Sequence, residues 1–219
     1  MMCKKILYGS NFLLVFFILS CTFYQVKEDS YVFIDESSVV ESSMFFEFDV
    51  KSNSYIFETN DVQFSSSKGY TFWMTSEENE GVSFKEFSAT VYKESGREEA
   101  GHGIVFIAQE INGVQFLASV LINVKGMYII GKVKDGVFER VCDWTDCNYI
   151  KKGFGVENKL SVSYSEEDKN FMLKINDAFI KMFSMDEDFK IEGSKSGYVV
   201  VLAHNENFPD NPVKVVFGK

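Results

Sequence analysis

Short runs of β-branched and aromatic residues, separated by clusters of glycine, asparagine, aspartate and serine, recur along the chain from residue 44 onward. This pattern is typical of β-strands joined by turns, and about thirteen strands are expected from it. Turn sequences at residues 111–113, 125–126, 134–136 and 176–177 lie between these runs and predict antiparallel hairpins. We therefore predict an all-β fold, a two-sheet antiparallel jelly-roll sandwich over residues 44–219, with a sheet closed on itself as the alternative.

The composition supports a folded domain and narrows the range of partners. Hydrophobic residues make up 46% of the 219 residues, with 23 Phe and only 2 Pro, which is ample apolar material for a large core. The formal net charge is -10, and no run of three or more basic residues occurs. Because phosphate binding needs a basic surface, we predict no nucleic acid partner and no docking of the domain itself on anionic lipid.

The first twenty residues have the order of a secretory signal. Lys4 and Lys5 precede an apolar stretch at residues 12–19, and the small Ser20 stands before Cys21. The stretch is too short to span a bilayer, which takes roughly 20 apolar residues. We predict that residues 1–20 are a signal peptide that is removed, which leaves 20 basic and 32 acidic residues and a net charge near -12.

Residues 18–21, Ile-Leu-Ser-Cys, resemble a bacterial lipobox, the motif that precedes a lipid-modified cysteine. The resemblance implies that Cys21 carries the lipid and that the membrane is a partner through it. The polar, acidic residues 21–43 are then a tether. The expected location is the bacterial cell envelope, lipid-anchored and facing the periplasm or the cell surface. Ordinary cleavage with a free Cys21, or a simple membrane anchor, is the alternative.

Five stretches in the second half of the chain carry a family resemblance. They are Gly-Ile-Val-Phe at 103–106, the glycine-led run at 126–132, Asp-Trp at 143–144, Asn-Lys-Leu-Ser-Val at 158–162 and the run at 171–178. These resemble the concanavalin A-like lectin and glucanase superfamily, in particular laminin G-like domains and 3-keto-disaccharide hydrolase-like proteins. The resemblance implies a jelly-roll scaffold and specifies it better than any ligand. The family's usual closing Phe-Asp is replaced here by Phe-Gly at 217–218.

Sandwich glucanases carry paired carboxylates in the pattern Glu-x-Asp-x-x-Glu, because two acids must flank the sugar bond. The nearest match is residues 47–52, in which Glu47 and Asp49 are present but Ser52 takes the place of the last acid. The catalytic set is therefore incomplete. We interpret the two acids as part of an exposed strand face.

The two histidines, His102 and His204, stand far apart and are expected on the surface or in loops rather than as ligands. No other recognised motif for a metal, a cofactor or a nucleophile occurs, so we predict no metal site, no cofactor and no catalytic residue. The polar segment 204–211 is expected to be a connecting loop, with a cation or sugar site as the alternative.

Cys142 and Cys147 are the two cysteines outside the predicted signal and lipid site. The short spacing and an oxidising compartment favour a disulfide between them, with buried thiols as the alternative and a metal site as a remote one. The loop so closed would carry a weak ligand site of Asp143, Trp144, Asp146 and Asn148, in which the indole could stack on a sugar. Packing of this Trp at the edge of the core is the competing interpretation, and Trp73 is also expected to be a core aromatic.

The function predicted from these features is that of a non-enzymatic envelope lipoprotein whose sandwich binds a glycan or an extracellular or envelope protein. The alternative is a glycoside-acting hydrolase that uses carboxylates such as Glu110, Asp143 or Asp146. A structural subunit of an envelope complex is the third hypothesis.

Overall fold

The computed structural model describes residues 38–41, 45–65, 69–75, 84–203 and 212–218. The predicted signal peptide, Cys21 and the polar segment 204–211 lie outside these residues, so export and lipidation stay predictions. In the described ranges, no helix is long and apolar enough to cross a membrane.

Fourteen strands and one turn of 3-10 helix at Val62–Ser65 make up the regular structure of these ranges. Thirteen of the strands lie where the sequence pattern predicts them, and the short β1 is the addition. The strands are β1 (Ser38–Glu41), β2 (Phe46–Asp49), β3 (Ser54–Thr59), β4 (Tyr70–Thr75), β5 (Glu86–Ser95), β6 (His102–Ile111), β7 (Val114–Ile122), β8 (Met127–Lys134), β9 (Val137–Asp146), β10 (Asn158–Ser165), β11 (Asn170–Ile175), β12 (Ala178–Phe183), β13 (Lys195–Leu202) and β14 (Val213–Gly218).

The strands form two seven-stranded sheets. Sheet A has the order β1-β4-β13-β6-β7-β8-β9, and sheet B has the order β12-β11-β10-β5-β14-β3-β2. Neighbouring strands are antiparallel except for β1, which pairs in parallel with β4. The fold is therefore the predicted all-β, two-sheet jelly-roll sandwich.

Strand β1 lies inside residues 21–43, the predicted tether. Ser38 pairs with Tyr70 and Glu41 pairs with Trp73. The sheet therefore begins a few residues before the predicted boundary at residue 44. A four-residue strand whose parallel partner is distant in sequence has no hairpin signal, which is why the pattern did not reveal it.

The predicted turns have the backbone that two-residue hairpins require. Asn112, Asp135 and Asn176 have φ values of 55°, 51° and 51°, and Gly113 and Gly136 that follow the first two have φ values of 81° and 76°. A left-handed backbone at both central positions matches the twist of antiparallel strands. These turns confirm the hairpins β6–β7, β8–β9 and β11–β12.

The main core lies between the sheets and is largely aromatic. Phe57 of sheet B lies 5.4 Å from Phe72 of sheet A, measured between ring centroids. Tyr198 of sheet A stacks on Phe217 of sheet B at 4.7 Å. Such pairs of buried rings contribute beyond the area they bury, so they hold the two sheets together.

Sheet A also buries its second face. Along β13 the residues from Ser196 to Leu202 are all buried, whereas β11 alternates between buried and half-buried positions. The second face carries an outer apolar cluster, against which Phe138 and Trp144 pack. Its members are Trp73, Val105, Ala108, Leu117, Leu121, Ile129, Val133, Val199 and Val201.

Candidate functional site

A pocket of about 450 Å³ lies at one end of the outer face of sheet A, and we call it the Trp73 pocket. Its size is in the range usual for small-molecule sites. The lining comes from the end of β4, the β6–β7 hairpin, the segment before β13 and the first residue of β13. Beside Trp73, its polar residues are Thr75, Gln109, Glu110, Gln115, Lys190, Glu192 and Lys195.

Strand alternation places Trp73 in this pocket. Its neighbours Phe72 and Met74 point into the main core, so Trp73 points to the outer face. Val199 of β13 is its partner across the ladder. Only 4% of Trp73 is exposed, so the indole is held by packing as well as facing the pocket. The prediction that Trp73 is a core aromatic is confirmed. Its indole N–H group could also donate a hydrogen bond to a ligand.

Two buried nitrogen atoms of the Trp73 pocket have no hydrogen-bond partner in the described part of the chain. They are Nε1 of Trp73 and Nε2 of Gln109. A buried donor without an acceptor costs about 1–3 kcal/mol, so folded proteins keep few of them. A ligand oxygen that reached either nitrogen from this pocket would satisfy it.

The remaining polar groups of the pocket include donors and acceptors. Glu110 and Glu192 bring carboxylates, while Lys190 and Lys195 bring ammonium groups. Gln115 adds an amide that can both donate and accept. A hydroxyl group also donates and accepts, so this mixture suits a ligand with many hydroxyl groups.

Residues 184–193, the segment before β13, contribute Lys190, Glu192 and Gly193 to the Trp73 pocket, and we call this segment its wall. Two ion pairs fix this wall to β8: Lys132 contacts Asp186, and Lys134 contacts Asp188 at 2.6 Å. The Asp186 carboxylate raises the pKa of Lys132, so this lysine stays charged at neutral pH. The ring of Phe189 also packs edge-on against Phe116 at 5.3 Å. The wall is therefore anchored by charge and by packing.

A second pocket of about 320 Å³, the Tyr164 pocket, lies on the other side of the same wall. Tyr164, Phe171 and Phe189 form its aromatic floor, and Lys190 lines it as well as the Trp73 pocket. The two pockets therefore adjoin, and the backbone N–H of Phe84 donates to the carbonyl of Ile191 at 3.0 Å, which ties this wall to the chain just before β5. Further charged residues that line the Tyr164 pocket are Lys169, Asp186 and Glu187.

The structure places the residues predicted as a weak ligand site on β9, and not in a clamped loop. Asp143 is exposed and accepts a hydrogen bond from Arg140 at 3.1 Å. Trp144 is half-buried and packs against the outer apolar cluster. Asp146 ends the strand, and Asn148 is exposed just beyond it. None of the four lines the Trp73 or the Tyr164 pocket.

The disulfide expected between Cys142 and Cys147 is not formed, and both thiols are free. Strand β9 continues past Cys142 as far as Asp146, and extended chain rises about 3.3 Å per residue. A disulfide needs Cα atoms within about 7 Å of each other, which a strand in this region does not allow. Instead, Sγ of Cys142 accepts a hydrogen bond from Nζ of Lys181 at 3.4 Å, and Cys147 is buried in the main core.

The incomplete acid pattern at residues 47–52 has a structural role. Oδ2 of Asp49 accepts a hydrogen bond from Oγ of Ser52 at 2.7 Å, and Oδ1 accepts one from the backbone N–H of Lys51 at 3.0 Å. These bonds lower the pKa of Asp49, with the Ser52 bond contributing most. The acid and Ser52 therefore stabilise the turn between β2 and β3.

His102 begins β6 as expected, but the prediction of a surface position is wrong, because only 2% of the residue is exposed. Burial, and then the charge of Lys93, lower its pKa to about 3. Lys93 is also buried, and its Nζ donates to the backbone carbonyl of Arg97 at 2.7 Å. The imidazole is therefore neutral at neutral pH. Within the described ranges, no group of three or more His, Cys, Asp or Glu side chains could hold a metal ion.

Sequence reasoning named Trp73 and Glu110 but missed Gln109, Lys190 and Glu192 as pocket residues. The available signal was the change from buried to polar residues at the end of β6, where Gln109 and Glu110 follow an apolar run. That signal indicates where β6 ends. It does not indicate that the segment before β13 lies beside the end of β6 and completes the pocket.

No model of a known protein family and no curated protein matches this sequence. Solved structures do match its fold. The Bacteroides ovatus mixed-linkage glucan GH16 protein, solved in complex with a product, has a TM-score of 0.56 at 6% identity, over 84% of this chain and 87% of that one. A Bacillus licheniformis β-glucanase has a TM-score of 0.52 at 5% identity, over 84% of each chain. At this identity the similarity establishes the jelly-roll fold alone.

Proposed function

We propose that this protein is a lipid-anchored lipoprotein of the bacterial cell envelope whose sandwich binds a glycan in the Trp73 pocket without catalysis. One observation carries the binding proposal. Trp73 and Gln109 both line one open pocket of about 450 Å³, and each has a buried side-chain nitrogen, Nε1 and Nε2, without a partner among the described residues.

A sugar fits this pocket better than a purely apolar or purely ionic ligand. The unpaired N–H groups of Trp73 and Gln109 need acceptor oxygens, while the carboxylates of Glu110 and Glu192, which line the same pocket, need hydrogen-bond donors. A ring with several hydroxyl groups supplies both from one rigid molecule. The two similar structures are described as glucan-related proteins, which is consistent with this ligand class.

The anchoring part of the proposal is supported by the signal-like residues 1–20 and the lipobox-like residues 18–21. Two or three acyl chains at Cys21 would bind membranes far more firmly than one, since each buried methylene contributes about 0.8 kcal/mol. Metabolic labelling with an alkyne fatty acid tests this directly. Cys21→Ser should abolish the label, and labelling that survives the substitution would contradict lipidation at this residue.

The binding proposal is tested with the full chain, purified in detergent, on an array of neutral and uronic acid-containing oligosaccharides. We expect at least one glycan to bind, and Trp73→Phe to weaken that binding by about five- to thirtyfold through loss of one hydrogen bond. Trp144→Phe is the matched control, because Trp144 does not line the pocket. Binding of envelope or extracellular proteins with no glycan bound would contradict the proposal.

A glycoside-acting enzyme is the second candidate, favoured by the presence of Glu110 and Glu192 in the same pocket. Two carboxylates on opposite sides of a sugar bond could act as acid and as base or nucleophile. Incubation of the full chain with the bound glycan, followed by analysis of reducing ends, separates the two functions. Product release that Glu110→Gln abolishes would replace the binding proposal with the enzyme.

A further inference from the structure

We propose that the Trp73 pocket and the Tyr164 pocket are two subsites for one linear oligosaccharide, which crosses residues 184–193 at Lys190. The inference rests on the proposed glycan binding in the Trp73 pocket and extends it to a ligand class. The ligand is then a chain of several sugars and not a monosaccharide or disaccharide.

The two pockets share one wall and one side chain. Lys190 lines both, while Ile191 lines the Tyr164 pocket and Glu192 lines the Trp73 pocket. A short stretch of backbone therefore separates the two cavities. Lys190 is exposed and has no ion-pair partner in the described part of the chain, so its three donors are available to a molecule that lies across the wall.

The Tyr164 pocket has the chemistry of a sugar subsite. The half-buried ring of Tyr164 lies 4.9 Å from the buried ring of Phe171 and offers an apolar surface against which the carbon face of a sugar can pack. Lys169 and Glu187 stand at its edge and can bond to hydroxyl groups. An apolar floor with a few polar groups is the usual composition of a ligand pocket.

The shared wall is fixed before any ligand arrives. Nζ of Lys132 contacts both Asp186 and Glu139, the latter at 2.9 Å, and Oγ of Ser194 donates to the carbonyl of Ile191 at 2.9 Å. Because the wall is already ordered, a ligand that spans both pockets would not lose affinity to ordering of the loop. Affinity should therefore rise with the length of the sugar chain until both pockets are filled.

The experiment is a titration of the full chain, in detergent, with neutral and uronic acid-containing oligosaccharides of two, four and six sugars. The parent protein should bind the longest members about tenfold more tightly than the disaccharides, the gain expected from a second filled pocket. Tyr164→Ala and Lys169→Ala should remove this gain while leaving the affinity for disaccharides unchanged. Lys169→Ala serves if loss of the Tyr164 ring destabilises the fold.

Glu167→Ala is the matched control, since Glu167 is exposed on the same hairpin and lines neither pocket. Affinity that does not depend on length, with Trp73→Phe still weakening it, would overturn the second subsite and leave glycan binding intact. A gain with length that survives both Tyr164→Ala and Lys169→Ala would place the added contacts elsewhere and also overturn it. Absence of binding at every length would overturn the proposed function itself.

Discussion

The side chain of Asn176, in the turn between β11 and β12, donates a hydrogen bond to Oδ1 of the buried Asn158 at 2.8 Å. Asn158 also accepts from the backbone N–H of Lys151 at 2.8 Å and donates to the carbonyls of Lys151 and Val156. Asn176 in turn donates to the carbonyl of Tyr149 at 2.7 Å. Two asparagines thereby fasten the loop after β9 to sheet B.

Asn158→Ala should lower the free energy of unfolding by roughly 2–4 kcal/mol, because it leaves several buried polar groups without partners. Asn148→Ala, at an exposed position nearby, should change it by less than about 0.5 kcal/mol. Urea denaturation of the two variants and the parent measures the difference. Equal stabilities of the two variants would show that the bonds of Asn158 do not hold the loop.

The buried His102 predicts a dependence of stability on pH. Its pKa is about 3 in the folded protein, against 6.5 as its ordinary value, so between these values the unfolded chain binds the additional proton. The contribution of the neutral, buried His102 to the free energy of unfolding is therefore complete above pH 6.5 and is lost as the pH falls toward 3. Between pH 6.5 and 5 the loss should be about 1.5 kcal/mol.

His102→Leu removes this titration and should flatten the stability curve between pH 6.5 and 5 relative to the parent. The window lies above the usual range of carboxylate titration, so Asp and Glu contribute little to it. Denaturant midpoints at four pH values give the comparison. A parent and a variant with parallel curves would mean that the imidazole is not buried as the structure shows.

The close approach of β13 to β4 predicts a strict need for glycine at position 197. A Cβ atom at Gly197 would collide with the backbone carbonyl of Met74, whereas one at Gly218 would make an ordinary contact with Thr90. Gly197→Ala should therefore destabilise the protein by about 2 kcal/mol or more, and Gly218→Ala should be nearly neutral. Thermal unfolding of the two variants measures the difference in stability. Equal melting temperatures would contradict the close approach of β13 to β4 at Gly197.

The two cysteines of the sandwich should react as thiols. After denaturation without a reducing agent, alkylation and proteolysis, peptides with Cys142 and Cys147 should both carry the alkyl group, since the extended strand keeps them apart. Mass spectrometry of the peptides gives the result directly. A peptide pair joined by a disulfide would show that the end of β9 rearranges.

The strand pattern and the turn residues could be predicted from the sequence because both are local. Asn112, Asp135 and Asn176 stand at positions that need a left-handed backbone, which these residue types adopt readily. The extension of β9 past Cys142 was missed, because the short spacing of the cysteines favoured a closed loop. The second buried face of sheet A was also missed, although the unbroken apolar run in β13 indicated it.

The candidate site could not be predicted, because its parts are distant in sequence. Trp73, Gln109 and Lys190 come from β4, β6 and the segment before β13, and only the sheet order brings them together. The residues that the sequence did favour, Asp143 and Trp144, belong to the edge strand β9. Asp143 forms an ion pair with Arg140, and Trp144 packs against the outer apolar cluster.

The chemical shift of the indole N–H of Trp73 is the most direct measure of whether this donor forms a hydrogen bond to a bound glycan. The chain has 2 Trp, so a proton–nitrogen spectrum shows two indole signals, and Trp144→Phe assigns them. On titration with a glycan that the array identifies, the Trp73 signal should shift in a saturable way while the Trp144 signal stays in place. Saturable glycan binding that leaves the Trp73 signal unmoved would contradict the account.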